Sequence, residues 1–463
     1  METDQDTAGQ PAGRDAGGVV ADSAPRTEGY VSERSLEPKK HKPFWSVLGP
    51  GLITGAADDD PSGIGTYSVT GAQYGYGLLW LVPLCIPLMI AVQEMCGRVG
   101  VVTGKGLTSV IKEHYSRSLL YFAVLLLIGA NVFNIYADLN AMGASAQMLF
   151  RGPIWIWLTA ITILLIATQI LIPYRSYVRI LKWLSLSLLA YVVTALMPGV
   201  HLHWGEIWRH TFIPSWNWKP AFVMTVVGFL GTTISPYLFF WQASEEVEDE
   251  VAAGTAFGPG GRVRSASSAE IRRLREDTTI GMAASQLVAF FIVICTAATL
   301  HASGKTDIET AQDAARALLP LGAAAYWLFA LGILGTGALC IPTLAGSIAY
   351  AVSEITGWRY GLYRRFGRAR GFYVTIAVAI FAGFALNFMH TLSPVKGLLY
   401  AAALNGVAAP PLIVILLFIC NNRAIMKGRP NGIAANLFGG LAALLMGATA
   451  ALLLWAMATG RTS

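Results

Sequence analysis

Hydrophobic residues along this chain come in long blocks, and almost no charged residue falls inside them. Each block reaches the roughly 20 residues that an α-helix needs to cross about 30 Å of hydrocarbon. The pattern therefore predicts about eleven membrane-spanning helices. The predicted spans lie near 45–75, 78–100, 119–149, 154–172, 180–198, 220–244, 279–300, 323–353, 372–390, 394–420 and 434–458.

Residues 1–42 contain no such block. This tail is rich in Gly, Ala, Ser, Asp and Glu, so it cannot bury enough apolar surface to offset the conformational entropy of the chain. It is not predicted to be a signal peptide, because no short apolar stretch precedes a small-residue cleavage site. We expect a disordered tail over 1–42, followed by a membrane domain over 43–463.

Composition agrees with a membrane protein, and the basic residues orient it. Hydrophobic residues make up 54% of the chain and charged residues 13%, too few polar groups for a soluble protein of this size, so the lipid bilayer is the expected partner. Most of the 33 Lys and Arg residues fall in the tail and in alternate loops. This places the N-terminus in the cytoplasm and, after an odd number of spans, the C-terminus outside the cell membrane. The same bias explains the net charge of +6, so no nucleic-acid partner is expected.

Two features of the predicted spans are interpreted as structural. Glu94 and Arg98 lie four positions apart on the second span and are predicted to form an ion pair near its cytoplasmic end. The cysteines occur singly inside predicted helices and are interpreted as small hydrophobic core residues. They are Cys85, Cys96, Cys295, Cys340 and Cys420.

The first span is interrupted by three adjacent acids and a proline. Asp58, Asp59 and Asp60 precede Pro61, which lacks a backbone donor, and Gly63, which relaxes the backbone. We expect the helix to unwind around Asp60–Gly63, leaving free carbonyls beside a carboxylate, a ready set of hard oxygen ligands for a cation. In the alternative interpretation, the acids lie at the membrane interface and cap a helix that begins at Pro61.

The sixth span has a comparable break. Gly, Thr and Ser residues over 228–235 precede Pro236, which lies 175 positions after Pro61. Five predicted spans separate the starts of the two broken helices, so the two halves have opposite orientations in the membrane. Inverted repeats whose broken helices meet at a midplane binding site show this arrangement.

The residues around these breaks resemble the natural resistance-associated macrophage protein (Nramp) family of divalent-metal transporters. The resemblance rests on GPGLITGAADDDPSG and GAQYGYGLLW in the first span and the loop after it, on the end of the second span at 93–105, and on the small-residue stretch at 334–346. It implies a LeuT-type fold of two inverted five-helix repeats, at about 45–200 and 219–420, plus an eleventh helix at about 434–458. It also implies alternating access and a metal site shared by the first and sixth spans.

The chain departs from the family at both motifs. Asp60–Gly63 reads Asp-Pro-Ser-Gly where the family has Asp-Pro-Gly-Asn, and Ser235–Tyr237 reads Ser-Pro-Tyr where it has Met-Pro-His. The aspartate is kept, but the asparagine, thioether and imidazole are lost. The resemblance implies a metal site formed by Asp60, Ser235, Gly63, Ala57, Thr233 and Tyr237.

Loss of the methionine changes the expected ion preference. A thioether favours soft transition metals over Mg²⁺ and Ca²⁺, so Ser235 is expected to leave an all-oxygen site. Mg²⁺ keeps several waters and needs a roomy polar site, which the small residues around Asp60 would provide. The pattern resembles the Nramp-related magnesium transporter branch. We therefore expect uptake of partly hydrated Mg²⁺, with Mn²⁺ as a second substrate and no prosthetic group.

Proton coupling is also expected to differ from that of the family. Members are generally proton symporters that use histidines on the sixth span and acids on the third, and the matching sixth-span positions here are Tyr237 and Gln242. The third span has one acid, Asp138. We expect uptake without obligatory proton symport, driven by a membrane potential that favours a divalent ion by about 4.6 kcal/mol per 100 mV.

A vestibule is predicted below the sixth-span break. Glu245, Glu246 and Asp249 follow Gln242 at helical spacing and could attract cations on the cytoplasmic side. In the alternative interpretation, these acids form a solvated helix end whose negative charge balances the basic stretch after it.

Three further polar residues are candidates for the ion path. Asp58 and Asp59 could bind hydrated ions beyond direct ligand distance. Asn405 in the tenth span could line the site, or it could be a buried polar residue with satisfied hydrogen bonds.

Two other kinds of transporter remain as alternatives: a proton-coupled Mn²⁺/Fe²⁺ symporter and a sodium-coupled symporter of organic solutes. An enzyme is not expected, because the sequence has no recognisable pairing of nucleophile and base and no metal motif such as HExxH.

Overall fold

The computed structural model describes residues 54–55, 57–172, 188–252, 266–389 and 393–459, and nearly all of the regular structure in these ranges is helical. The helices are α1 (Pro61–Tyr74), α2 (Leu81–Thr103), α3 (Leu107–His114), α4 (Arg117–Phe150), α5 (Ile154–Leu171), α6 (Leu189–Ala195), α7 (Trp204–Phe212), α8 (Pro220–Thr233), α9 (Pro236–Ala252), α10 (Ser268–Thr296), α11 (Ala311–Ala315), α12 (Ala324–Thr356), α13 (Arg370–Leu386), α14 (Pro394–Asn421) and α15 (Ile433–Ala458).

The predicted spans are confirmed where the structure describes them. Eight helical segments are long and apolar enough to cross a bilayer: α2, α4, α5, α8 with α9, α10 with the π-turn after it, α12, α14 and α15. The shorter apolar helix α13 matches the predicted ninth span. The first span contains α1, and of the fifth only α6 is described, because 173–187 lie outside the described residues. The predicted disordered tail also lies outside them.

Local sequence fixes where several of these helices end. Ser267 and Glu270 form a reciprocal capping box at the start of α10, which satisfies two backbone donors that the helix leaves free. Gly104 and Gly357 follow α2 and α12 with φ of 70° and 75°. Glycine occupies this left-handed region without the steric cost that a Cβ would add, so each residue ends its helix.

The helices form two groups. In the first group, α2 packs against α8, α9 and α10, and α1 packs against α8 and α10. In the second group, α4, α5, α12 and α13 pack on one another, and α14 contacts members of both groups. The first group holds the first two spans of each predicted repeat and the second group holds the third and fourth. This grouping is the one that two inverted repeats predict.

Small residues let helices of different groups approach closely. A Cβ added to Gly231 of α8 would lie 2.1 Å from the carbonyl oxygen of Ala402 and 2.2 Å from the backbone nitrogen of Gly406, both on α14. Only glycine permits this contact. Without a hydrophobic force between helices in lipid, such close backbone packing supplies much of their association.

The predicted ion pair between Glu94 and Arg98 is wrong. Arg275 of α10 donates two hydrogen bonds to the Glu94 carboxylate, at 2.9 and 2.8 Å. Arg98 instead donates to Asn431 at 3.1 Å and to the carbonyl oxygens of residues 429 and 430. Both side chains therefore link α2 to other segments of the chain, and this removes any need for a pair within the helix.

Candidate metal-ion site

The first span breaks at Asp59 and Asp60, and α1 begins at Pro61. Asp60 is the N-cap, and its Oδ1 accepts a hydrogen bond from the Gly63 backbone N–H at 2.6 Å. Unwinding as far as Gly63 is thus a wrong prediction, because proline at the first helical position has the required φ and no donor to satisfy. The capping alternative gives the correct helix start, and Asp60 is 1% exposed, so its side chain lies inside the protein.

The predicted break in the sixth span is confirmed. Helix α8 ends at Thr233 and α9 begins at Pro236. The Ser235 hydroxyl donates to the carbonyl oxygens of Gly231 and Thr232, each at 2.8 Å, and the Thr233 hydroxyl donates to the carbonyl of Phe229. These hydroxyl hydrogens are thus directed to the end of their own helix.

Two contacts join the broken spans. The Tyr237 hydroxyl donates a hydrogen bond to the carbonyl oxygen of Ala57 at 2.9 Å, so these two predicted site residues are in direct contact. Ser62 donates to Asp60 Oδ1 at 2.8 Å and its hydroxyl lies 3.3 Å from that of Thr232. The structure therefore brings the first and sixth spans together at Asp60.

Two residues of the second helix group complete a cluster with Asp60. One ligand atom each of Asp60, Asp138 and Cys340 lies within 4.8 Å of the others. Cys340 Sγ is 3.8 Å from Asp60 Oδ2 and 3.5 Å from the Tyr237 hydroxyl. All four side chains are at most 1% exposed, so the cluster is closed to solvent on every side.

Cys340 has two kinds of neighbour. It is buried in the hydrophobic core, as interpreted from the sequence, and its sulfur also lies 3.8 Å from Asp60 Oδ2. A sulfur atom is therefore adjacent to this carboxylate, which the expectation of an all-oxygen site did not include. An isolated cysteine in an apolar helix has no spacing that would place it beside Asp60. For Asp138, the signal in the sequence was that it is the one acidic residue of the third predicted span.

Asp58 and Asp59 face a different helix. Ser285 of α10 donates to Asp58 Oδ2 at 2.8 Å and to Asp59 Oδ1 at 3.1 Å. Both carboxylates are buried, and Asp58 Oδ1 has no hydrogen-bond partner among the described residues. The pair therefore lies between the first and seventh spans, beside the cluster of Asp60, Asp138 and Cys340 but outside it.

The predicted vestibule residues are buried rather than solvated. The Gln242 amide accepts a hydrogen bond from Thr54 and donates to Glu246 at 2.8 Å. Glu245 accepts from the Tyr350 hydroxyl at 3.3 Å. With Glu245 and Glu246 at most 9% exposed, the alternative of a solvated helix end is wrong for them. Asp249 continues this acidic face of α9.

Asn405 is buried on α14, and neither atom of its amide has a hydrogen-bond partner among the described residues. The alternative of a satisfied polar residue therefore does not hold for this part of the chain. The next residue, Gly406, lies against α8 close to the sixth-span break. Its place in the ion path stays a prediction.

Comparisons with known proteins agree with this geometry. Residues 51–456 match the family described as natural resistance-associated macrophage protein-like. The divalent metal cation transporter MntH of Ralstonia nicotianae is 26% identical over 406 residues, which cover 84% of this chain and 87% of that protein. MntH 1 of Pseudomonas aeruginosa is 26% identical over 363 residues, or 74% and 79% of the two chains.

Solved structures show the same fold at low sequence identity. The manganese transporter of Eremococcus coleocola superposes with a TM-score of 0.70 at 18% identity and covers 93% of this chain and 90% of its own. Mhp1, a nucleobase-cation-symport-1 family transporter, superposes with a TM-score of 0.53 at 12% identity, over 89% and 93% of the two chains. The LeuT-type architecture is thereby confirmed.

Proposed function

Because this chain belongs to the Nramp family, we propose that it takes up divalent cations through the site around Asp60. Family membership makes it a divalent-metal transporter of the membrane rather than an enzyme. In finer detail, we propose Mg²⁺ and Mn²⁺ as substrates, carried as partly hydrated ions by alternating access. Uptake is directed into the cytoplasm, with the N-terminus on that side and the C-terminus outside.

The observation that carries this proposal is a buried carboxylate where two broken helices meet. Asp60 lies beside the interruption of the sixth span, linked to it through Ser62 and Thr232. In the described part of the chain, no Lys or Arg forms a salt bridge with it. A buried carboxylate without a basic partner is costly, so a bound cation is the partner that we propose to offset the cost.

The two carboxylate oxygens of Asp60 have different surroundings, which supports ion binding. Oδ1 accepts hydrogen bonds from the Gly63 amide and the Ser62 hydroxyl, whereas Oδ2 lies 3.8 Å from the weak thiol donor of Cys340. One oxygen therefore holds the helix end while the other is available to an ion. Hydroxyl oxygens of Ser62, Thr232 and Ser235 surround the break, and Mg²⁺ with its waters prefers such oxygen ligands.

The hydrogen bonds of the sixth span support uptake without obligatory proton symport. Tyr237 and Gln242 stand where the family carries histidines, and each makes a neutral hydrogen bond to a residue of the first span. Neither side chain titrates near neutral pH in the way that histidine does.

A proton-coupled Mn²⁺/Fe²⁺ symporter is the second candidate, because one observation favours it. Asp138 is a buried carboxylate close to Asp60, and neither of its oxygens has a hydrogen-bond partner among the described residues. Such a group could carry a proton in the same direction as the ion. The alternative of a sodium-coupled organic-solute symporter has no such support, since the matching relatives are named as divalent metal cation transporters.

Flux into proteoliposomes tests the proposal. The purified full chain is expected to pass Mg²⁺ and Mn²⁺ into the lumen, faster under an inward-negative potential and without acidification beyond that of protein-free vesicles. Acidification that tracks metal entry would establish the proton-coupled candidate instead. Absence of divalent flux under every gradient would overturn the function. Asp313→Asn, on the short helix α11, where the side chain is 18% exposed and pairs with Lys305, serves as a charge-matched control for Asp60 variants.

A further inference from the structure

We propose that Cys340 and Asp138 are ligands of the transported ion together with Asp60, so that a transition metal is held by two carboxylates and one cysteine sulfur. This inference rests on the proposed function, since it concerns the same ion path. It places a soft sulfur ligand on α12, outside the two broken spans. The ion classes it predicts are Cd²⁺ and Mn²⁺ in addition to Mg²⁺.

The geometry needs only a small adjustment. A metal of the size of Zn²⁺ binds sulfur at about 2.3 Å and carboxylate oxygen at about 2.0–2.2 Å, so two ligands on opposite sides of one ion lie up to about 4.5 Å apart. The three ligand atoms already lie within 4.8 Å of one another. A shift of a few tenths of an ångström in their side chains would place all three on one ion.

Asp138 supplies an independent indication of a ligand. Its side chain is fully buried and neither oxygen has a hydrogen-bond partner among the described residues. The backbone N–H of Ser62 is near this carboxylate, but outside hydrogen-bonding geometry. Buried polar groups nearly always find a partner, and an unsatisfied one needs an explanation. A bound cation shared with Asp60 provides it.

Cys340 supplies, from another helix, the sulfur ligand that the sixth span lacks. Ser235 stands where the family has a methionine, and Cys340 of α12 brings a sulfur atom to within 3.8 Å of Asp60. A cysteine sulfur binds as the thiolate, so binding of the ion breaks the S–H bond and releases the thiol proton to water. The thiolate is a softer ligand than any oxygen and favours transition metals over Mg²⁺. Cys340 is thereby a specificity-determining residue.

The three ligands also come from both helix groups. Asp60 precedes α1 in the first group, whereas Asp138 and Cys340 lie on α4 and α12 in the second. An ion held by all three would tie the groups together at the site, and its release would remove that tie. Ion binding is therefore linked to the relative position of the two groups.

Cadmium binding to the purified full chain tests the inference directly. Cd²⁺ added to the wild-type protein is expected to produce the ultraviolet charge-transfer band of a cadmium–thiolate bond. The band should persist in Cys295→Ser, whose buried thiol faces the Ala317 carbonyl, and disappear in Cys340→Ser. Cys340→Ser should also lower the affinity for Cd²⁺ by about tenfold or more.

Alkylation provides a second measurement that needs no variant. Cd²⁺ should slow the reaction of Cys340 with a small maleimide, read by mass spectrometry, while leaving Cys295 unaffected. A cadmium band that survives in Cys340→Ser, or equal alkylation of Cys340 with and without Cd²⁺, would overturn the inference. Asp138→Asn should weaken Cd²⁺ binding as well, and unchanged binding there would exclude Asp138 as a ligand.

The inference and the proposed function fail in distinguishable ways. Absence of divalent flux by a wild-type protein that shows the cadmium band would reject transport but keep the site. Normal Mg²⁺ and Mn²⁺ flux with no cadmium–thiolate band would keep transport and reject Cys340.

Discussion

Asp60 shows how one side chain serves both the fold and the site. Its Oδ1 accepts the hydrogen bonds that start α1, and its Oδ2 points to Cys340 within the cluster. Asparagine caps helices about as well as aspartate, whereas alanine removes the cap and costs about 1 kcal/mol. The two roles can therefore be separated by choosing the replacement.

Asp60→Asn is expected to keep the thermal stability of the protein near that of wild type and to reduce Mg²⁺ and Mn²⁺ flux by about tenfold or more, because it removes the charge but keeps the capping oxygen. Asp60→Ala should lose flux and also about 1 kcal/mol of stability. Melting curves in detergent and proteoliposome flux measure the two effects. Flux in Asp60→Asn equal to that of the Asp313→Asn control would mean that Asp60 is not the central ligand.

At the scale of helices, glycine residues decide how closely neighbouring helices pack. Gly231 allows α8 to touch the backbone of α14, and Gly55 similarly lies against Gly281 of α10, where an added Cβ would meet backbone atoms at 2.4 Å. Backbone atoms cannot move aside as a flexible side chain does. These positions therefore fix how the broken spans pack against their neighbours.

Gly231→Ala is expected to destabilise the protein strongly, because the new methyl group would overlap the backbone of residues 402 and 406 and force α8 away from α14. Gly129→Ala on α4 is the matched control, since nothing lies within 4 Å of a Cβ added there. The control should be neutral or stabilised by up to about 1 kcal/mol through its better helix propensity. Similar melting temperatures of the two variants would contradict the assigned α8–α14 contact.

At the scale of the whole molecule, a second link joins the two helix groups away from the site. Glu248 of α9 accepts hydrogen bonds from the Tyr350 hydroxyl of α12 and from the backbone N–H groups of Leu362, at 2.7 Å, and Tyr363, at 3.2 Å. Tyr350 lies ten residues beyond Cys340 on α12, or about 15 Å along the helix. This link joins α9 to α12 and to the loop after it, on the side of the protein that the basic loops predict to be cytoplasmic.

Glu248→Ala should release this link, because the amides of Leu362 and Tyr363 lose their acceptor. We expect faster hydrogen exchange at those two amides and faster maleimide labelling of Cys340, as the groups separate more often. Glu309→Ala, which removes an exposed ion pair with Lys396, is the control and should change neither readout. Hydrogen exchange at residues 362 and 363 that matches wild type would show that Glu248 does not hold α9 to the loop after α12.

The sequence by itself determined the apolar spans and the two breaks, because bilayer thickness sets the length of an apolar helix and a proline after a capping residue sets where a helix begins. These causes act over neighbouring residues. Of the two interpretations of the first break, the one that caps a helix at Pro61 gives the observed start of α1. The second break lies between Thr233 and Pro236, inside the stretch where the sequence predicts an interruption.

Only the tertiary structure decided which distant side chains meet. Cys340 lies 280 positions from Asp60, and the true partner of Glu94 lies 181 positions away on α10. In a membrane protein, both buried and lipid-facing positions are apolar, so hydrophobic pattern does not reveal which face of a helix contacts which neighbour. Lateral packing of the helices therefore placed a sulfur and a second carboxylate beside Asp60, and no local pattern in the chain specified either.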